Sequence, residues 1–186
     1  MRIIGGKLKG KKLDFVQSET TRPLRDLVKE SIFNIINHSN VSKIDIKNSN
    51  VLDLYSGIGS FGIECISREA KQASFVENNK DALLILKKNL IKLSIHEEAR
   101  VFEQSVNQFI LNNKEDKFDI IFIDPPYKDD KYLNEILLIK KSNIYNKKHL
   151  IIIHRETIKT EDLKGIFKDL AFKEYGRSKL IYGTFG

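Results

Sequence analysis

Val51-Leu52-Asp53-Leu54-Tyr55-Ser56-Gly57-Ile58-Gly59-Ser60-Phe61-Gly62 decides the fold of this 186-residue chain. Val51 to Tyr55 reads as a strand entering a turn. Gly57, Gly59 and Gly62 then spell G-x-G-x-x-G ahead of a helix expected from about Phe61 to Arg68. Glycines there let the backbone bend sharply and let a ligand approach where a Cβ would stand. The free N–H groups opening the next helix suit a carboxylate or a phosphate. A second strand, Ala73 to Glu77, ends in a carboxylate that can accept hydrogen bonds from a ribose diol. A dinucleotide and S-adenosylmethionine are both candidates at this point, beside the bland reading of a tight turn with a solvated Glu77. Asp53 shifts the balance toward S-adenosylmethionine. It stands at the strand end, four residues before the first glycine, where a carboxylate repels a pyrophosphate but can face an ammonium group or a water network. The bland alternative is that Asp53 only caps the turn.

Outward from this stretch the chain alternates strand and helix. Asp81 to Leu93 reads as a helix with Leu83, Leu84, Leu86, Leu90 and Leu93 as its apolar stripe. Arg100 to Glu103 is a short strand, Val106 to Leu111 a short helix, and Phe118 to Asp124 a strongly apolar strand. Tyr132 to Ile139 is helical, Leu150 to His154 is a fifth strand, and Phe172 to Phe185 holds two closing strands around Gly176. Strands separated by helices imply a mostly parallel sheet covered on both faces, and runs such as 118–123 and 150–153 are what doubly covered strands need. Upstream, Ile3-Ile4 and Leu13-Phe15 flank Gly5, Gly6 and Gly10, suggesting a small hairpin. Thr20-Thr21-Arg22-Pro23 is a helix-entry signal, and Leu24, Leu27, Val28, Ile32, Ile35 and Ile36 recur at helical spacing over roughly 24–38. This gives a hairpin extension over residues 1–20 and a main domain over 21–186.

The second motif is Asp124-Pro125-Pro126-Tyr127, at the carboxyl end of the apolar fourth strand. Two prolines fix φ and donate no backbone hydrogen bond, so they hold a carboxylate, a carbonyl and a ring in a stiff array. An exocyclic amine of a base is a poor nucleophile because its lone pair is delocalised. If Asp124 and a proline carbonyl accept its two N–H bonds, the nitrogen can pyramidalise and aim its lone pair at a methyl group. Tyr127 can stack on a flipped base. An activated methyl donor needs positioning more than a strong base. The bland reading is a strand ending in a rigid turn.

Composition limits the alternatives. The formal net charge is +7, from 32 Lys and Arg against 25 Asp and Glu, which suits a polyanionic partner, although a lysine-rich bias alone can produce it. Residues 1 to 12 carry Arg2, Lys7, Lys9, Lys11 and Lys12 and no acid, so they are candidates for phosphate contact, with a solvated lysine surface as the alternative. Arg22 and Arg25 either line a passage from a nucleic acid to the glycine loop or pair with an acid such as Asp26 or Glu30. The single cysteine, Cys65, excludes an intramolecular disulfide and reads as a buried small hydrophobe. His38, His96, His149 and His154 show no metal spacing, so no metal is expected. No apolar run suggests a membrane span and the N-terminus lacks a secretory signal, so a cytoplasmic protein with no membrane partner is expected.

At these residues the sequence resembles the class I methyltransferases, and more closely the bacterial 16S ribosomal RNA guanine-N2 methyltransferases. Arg2-Ile3-Ile4-Gly5-Gly6 with Lys9-Gly10-Lys11-Lys12-Leu13 is similar to that family's opening, and Thr21-Arg22-Pro23 with Asp26 to Asn34 to its next segment. Asp53 to Glu64, Glu77 and Asp124 to Tyr127 are similar to its cofactor and catalytic motifs, and Tyr182-Gly183-Thr184 to its C-terminal signature. The resemblance implies a Rossmann-like α/β fold: a seven-stranded, mostly parallel sheet with an antiparallel C-terminal strand and helices on both faces. It implies Asp53, Gly57 and Gly59 around the methionine end of S-adenosylmethionine and Glu77 on its ribose. Asp124 becomes the catalytic acceptor, also beside the cofactor, with Pro125 and Pro126 framing it and Tyr127 stacking. Ser105 stands where the family commonly has an Asp or Asn touching adenine. The implied partner is 16S ribosomal RNA in a 30S subunit or its assembly intermediate, approached by a monomer through Arg2, Lys7, Lys9, Lys11, Lys12 and Arg22.

Three other functions fit parts of the sequence. The tetrapeptide suits an amino methyltransferase acting on DNA or another RNA. The glycine pattern suits a nicotinamide-dependent oxidoreductase, against which Asp53 and Asp124 count. A non-catalytic RNA-binding or assembly factor on the same fold is the fourth.

Overall fold

The computed structural model describes residues 1–15, 26–38, 40–126, 132–156, 163 and 165–186. The strands are β1 (Asn50–Leu54), β2 (Gln72–Glu77), β3 (Ala99–Glu103), β4 (Phe118–Ile123), β5 (Tyr145–Glu156), β6 (Asp169–Tyr175) and β7 (Ser178–Thr184). The helices are α1 (Asp26–His38), α2 (Ser60–Ser67), α3 (Lys80–Lys92), α4 (Val106–Asn112) and α5 (Tyr132–Ser142). They build a seven-stranded sheet in the order β3-β2-β1-β4-β5-β7-β6. Strands β1 to β5 pair parallel, and β7 runs antiparallel to both β5 and β6.

The period-two alternation of side chains explains how one sheet carries two cores. Val51, Phe75, Ile120, Phe122, Leu150 and Ile152 share one face with buried residues of α1, α2 and α3. Leu52, Leu54, Val76, Ile121, Ile123, Ile151 and Ile153 share the other with α4 and α5. Phe61 of α2 fixes the first layer, because its ring stacks on Phe122 of β4 at 4.3 Å and on Phe33 of α1 at 5.7 Å. Each aromatic pair contributes roughly 0.5–1.5 kcal/mol beyond burial itself. Cys65 is fully buried in this layer, as a small hydrophobe should be.

Several local expectations are corrected. Leu27 and Leu84 do not join the stripes of their helices, being 62% and 68% exposed. At about 100° per residue both project well over a quarter-turn away from the faces centred on Ile32 and Leu86. Lys29 takes the inward place instead. It is fully buried, its Nζ 3.6 Å from the buried Glu64 and donating to the Arg2 carbonyl at 2.6 Å. β1 stops at Leu54, because Tyr55 already has a left-handed φ of 59°. β5 starts at Tyr145 rather than Leu150, across an irregularity where Phe118 pairs with Tyr145 and Ile120 with Leu150.

The N-terminal arms do meet, but through a single bridge, Arg2 with Lys12, rather than through full strands. Ile3 and Leu13 are buried in the α1–α3 layer. Glu64 accepts from the Ile4 and Gly5 N–H groups at 2.9 and 2.7 Å, and Ser67 Oγ donates to the Gly5 carbonyl at 2.6 Å. A side chain at Gly6 would collide with the Ser67 carbonyl, so the Gly5-Gly6 pair serves close docking onto the end of α2. The Thr20 to Pro23 helix entry and residues 16–25 as a whole, with Arg22 and Arg25, lie outside the described residues. Among the described residues no helix is long and apolar enough to cross a membrane, and no group of three acids, histidines or cysteines could hold a metal.

Candidate active site

The strand order reverses direction between β1, which leads to β2 and β3, and β4, which leads to β5. Open α/β sheets bind ligands at the carboxyl ends of strands at such a point. Asp53, Glu77 and Asp124, three of the residues that the sequence singles out, converge there. Parallel register puts Asp53 beside Phe75 and Phe122. Counting on by two, Glu77 and Asp124 continue the same side-chain face one step above, and His154 stands beside Asp124 because Ile153 pairs with Ile123. Glu77, Asp124 and His154 thus stand along the rim, with Asp53 one step below them on the same face.

The loop after β1 is built as a cradle. Ser56 N–H donates to the Val76 carbonyl at 3.1 Å and Gly59 N–H to the Ser56 carbonyl at 2.8 Å, so the loop is tied to β2 and to itself. Gly57 has a φ of +55°, and a Cβ there would meet nothing within 4 Å, so the cradle opens at this residue. Gly62 serves the opposite need: a Cβ would lie 2.3 Å from the Phe75 ring, and its absence lets α2 sit close on β2. The Ser56 and Ser60 hydroxyls are buried in this loop without a hydrogen-bond partner among the described residues. A buried polar group in that state signals a missing partner such as a ligand or water.

The charges of the rim are arranged around the cradle. Asp53 is 1% exposed and its Oδ2 accepts from the Gly62 N–H at 3.0 Å. Burial pushes its carboxyl up to about 8, and the carboxylates of Asp124 and Glu77 push the same way against the Gly62 hydrogen bond. Glu77 braces the loop: Oε2 accepts from the Gly57 N–H at 2.8 Å, and Oε1 accepts from the Asn78 and Asn79 N–H groups, each at 2.8 Å. Ser105 is the N-cap of α4 in a reciprocal capping box with Gln108, so its hydroxyl accepts from the Gln108 N–H at 3.3 Å.

The acidic corner stands against this loop. Asp124 N–H donates to the Leu54 carbonyl at 3.4 Å, and its side chain is 31% exposed. Pro125 is buried and Pro126 exposed, while Tyr127 lies outside the described residues. Two residues that sequence reasoning did not assign to the site hold the corner from β5. His154 Nδ1 lies 2.9 Å from Asp124 Oδ1, and Arg155 Nη1 donates to the Pro126 carbonyl at 3.3 Å. The buried Arg155 guanidinium also lies over the Tyr132 ring of α5 at 4.3 Å. Tyr55 donates from its hydroxyl to Glu135 of α5 at 2.6 Å, which ties the glycine loop to the same helix. No local signal in β5 could have announced His154 and Arg155, since only the β4–β5 register brings them to Asp124.

The N-terminal cations are not all free. Arg2 pairs with Asp26 at 3.1 Å and Lys7 with Glu98 at 3.2 Å. Lys9, Lys11 and Lys12 are exposed and make no ion pair among the described residues.

Residues 1–184 match the model of the family described as "Conserved hypothetical protein 95". The chain belongs to this family. It is 36% identical over 156 residues to ribosomal RNA small subunit methyltransferase D of Buchnera aphidicola subsp. Baizongia pistaciae, covering 84% of this chain and 76% of that one. It is 36% identical to the protein of the same name in Haemophilus influenzae, covering 84% of this chain and 79% of that one. The solved structure of yhhF from Escherichia coli superposes with a TM-score of 0.83 at 27% identity, over 100% of this chain and 98% of that one. A methyltransferase of Agrobacterium tumefaciens, dependent on S-adenosylmethionine, shares the fold at a TM-score of 0.68 and 14% identity, over 90% of this chain and 64% of that one. The sheet order and the two covering layers are those of a class I methyltransferase, as the sequence led us to expect.

Proposed function

We propose that this chain transfers a methyl group from S-adenosylmethionine to the exocyclic N2 of a guanine in small-subunit (16S) ribosomal RNA, in the cytoplasm. The observation that carries the proposal is the Asp124 corner standing against the glycine cradle at the switch point, with Asp124 N–H on the Leu54 carbonyl. The names of the relatives supply the ribosomal RNA. The residues present fit the cofactor. The cradle opens at Gly57, the two Ser hydroxyls lack partners among the described residues, and the acidic rim suits a molecule bearing a sulfonium and an ammonium group. A pyrophosphate would meet three carboxylates at the same place, which counts against a dinucleotide.

Asp53, Gly57, Gly59 and the opening turn of α2 would hold the methionine end, Glu77 the ribose, and Ser105 the neighbourhood of the adenine. When bound, S-adenosylmethionine supplies a methyl group already activated by positive charge. The protein's own task is then to present the amine. Asp124 accepts one N–H of the guanine amine, which concentrates the lone pair on nitrogen and stabilises the positive charge that grows there. The Pro125-Pro126 backbone keeps the carboxylate from swinging away, and Tyr127 supplies a stacking surface. The Asp124 carboxylate that accepts this N–H can also take the proton that the alkylated nitrogen must lose. Lys9, Lys11 and Lys12, with Arg2, Lys7 and Arg22, would grip phosphates of a 30S subunit or its assembly intermediate.

The test is mass spectrometry of nucleosides from 16S RNA of a strain lacking the protein, complemented with the natural chain or with Asp124→Ala. The natural chain should restore N2-methylguanosine and the variant should not, while retaining its fold and RNA affinity. Unchanged N2-methylguanosine in the deletion strain would remove the substrate claim.

A further inference from the structure

The Asp124 carboxylate does not stand alone on its prolines. The His154 ring is buried, with a side chain only 7% exposed, and its Nδ1 lies 2.9 Å from Asp124 Oδ1. A carboxylate oxygen accepts hydrogen bonds, so the contact is a hydrogen bond when Nδ1 carries the ring proton. The two groups are next-door positions on parallel strands, one step beyond the rungs where Phe122 pairs with Ile152 and Ile123 with Ile153. The ring is therefore delivered by the sheet itself rather than by a loop.

We propose that His154 is a positioning residue for methyl transfer: its Nδ1–H engages Oδ1 of Asp124 and leaves Oδ2 as the oxygen that receives the N–H of the base amine. This rests on the methyl-transfer reading above. A carboxylate on two rigid prolines can still rotate about χ2. One buried hydrogen bond to one oxygen removes that freedom before substrate arrives, which is where preorganised sites gain their rate. The burial of the ring strengthens the bond, since little water competes for Nδ1. The neighbouring Arg155 holds the Pro126 carbonyl, so the end of β5 fixes both the acid and the backbone beyond it.

Two variants test this against a purely space-filling ring. His154→Leu keeps much of the volume and removes the donor; His154→Asn places an amide N–H near the lost Nδ1. With saturating RNA, kcat of His154→Leu should fall roughly ten- to a hundredfold, the worth of one hydrogen bond to a charged group. KM for RNA and the Kd for S-adenosylmethionine should each move less than about twofold, because neither depends on the orientation of Oδ2. His154→Asn should recover most of the lost kcat. A kcat for His154→Leu equal to that of the natural chain, or a His154→Asn variant no faster than His154→Leu, would overturn the proposal. The pairing is also read without turnover, from the 15N resonances of the His154 ring. Nδ1 should be protonated in the natural chain and should shift in Asp124→Ala; a bare Nδ1 overturns the proposal even if no RNA substrate is methylated. Asp124→Ala assayed alongside separates the two claims. If it transfers methyl groups as fast as the natural chain, the functional reading falls with it, whereas a dead Asp124→Ala beside a fully active His154→Leu sinks only the role of His154.

Discussion

Replacing Asp53 by Asn should stabilise the ligand-free protein increasingly as pH rises. In the folded chain burial holds the Asp53 carboxyl at about 8, against an ordinary value of 3.8. Between those values the folded state keeps a proton that the unfolded state has lost, so stability contributed by this group is present at low pH and falls as pH climbs toward 8. Each pH unit in that window costs up to about 1.4 kcal/mol, or on the order of 4 kcal/mol between pH 5 and pH 8. Asn carries no such proton, and its side-chain oxygen can still accept from the Gly62 N–H. Urea unfolding of both proteins without ligand, at half-unit steps from pH 5 to 8, should show a stability gap that widens by roughly 1 kcal/mol per unit. A gap that is constant or narrows with pH refutes the reasoning. The same geometry reverses sign when a cation arrives. Binding of S-adenosylmethionine should then release a proton and tighten with pH up to about 8, which calorimetry in buffers of different ionisation enthalpy measures.

Other expectations follow from packing and charge. Gly62→Ala would drive a methyl into the Phe75 ring, where the Cβ would stand 2.3 Å away, and should cost about 1–3 kcal/mol in chemical denaturation. Glu64→Ala would strand the buried Lys29 and the Ile4 and Gly5 N–H groups, and breaking such a pair costs about 3–5 kcal/mol, enough to lower the unfolding midpoint sharply. Lys9, Lys11 and Lys12 changed together to Ala should leave stability intact but weaken RNA binding, with a salt slope shallower by roughly two to three.

Much of the fold was legible because its signals are local. Val51 to Gly62 announces strand, turn and helix within twelve residues, and the apolar runs of β4 and β5 announce doubly covered strands. Asp53 was legible as an acid at the turn, but its depth was not, since burial depends on α2 closing over it through Gly62. Leu27 and Leu84 misled for a simple reason: an apolar residue next to a stripe is indistinguishable from one in it until the partner surface is known. The inward turn of Lys29 was not legible, because it depends on Glu64, 35 positions away in the chain. His154 was equally hidden. Its meaning depends on the β4–β5 register, which no short-range pattern encodes. The Gly5-Gly6 pair reads as a turn in sequence and proves to be a docking surface for α2.

The placement of β7 between β5 and β6 constrains the order in which the sheet can be completed. β6 emerges from the ribosome first, yet its ladder partner in the sheet is β7. It must therefore wait, unzipped, while β5 presents Ile151 to Arg155 as an open flank. The growing chain is most adhesive during that interval, and a premature stop between Tyr175 and Ser178 would freeze it in that condition. Nonsense or frameshift lesions there should give insoluble protein rather than a weakened enzyme.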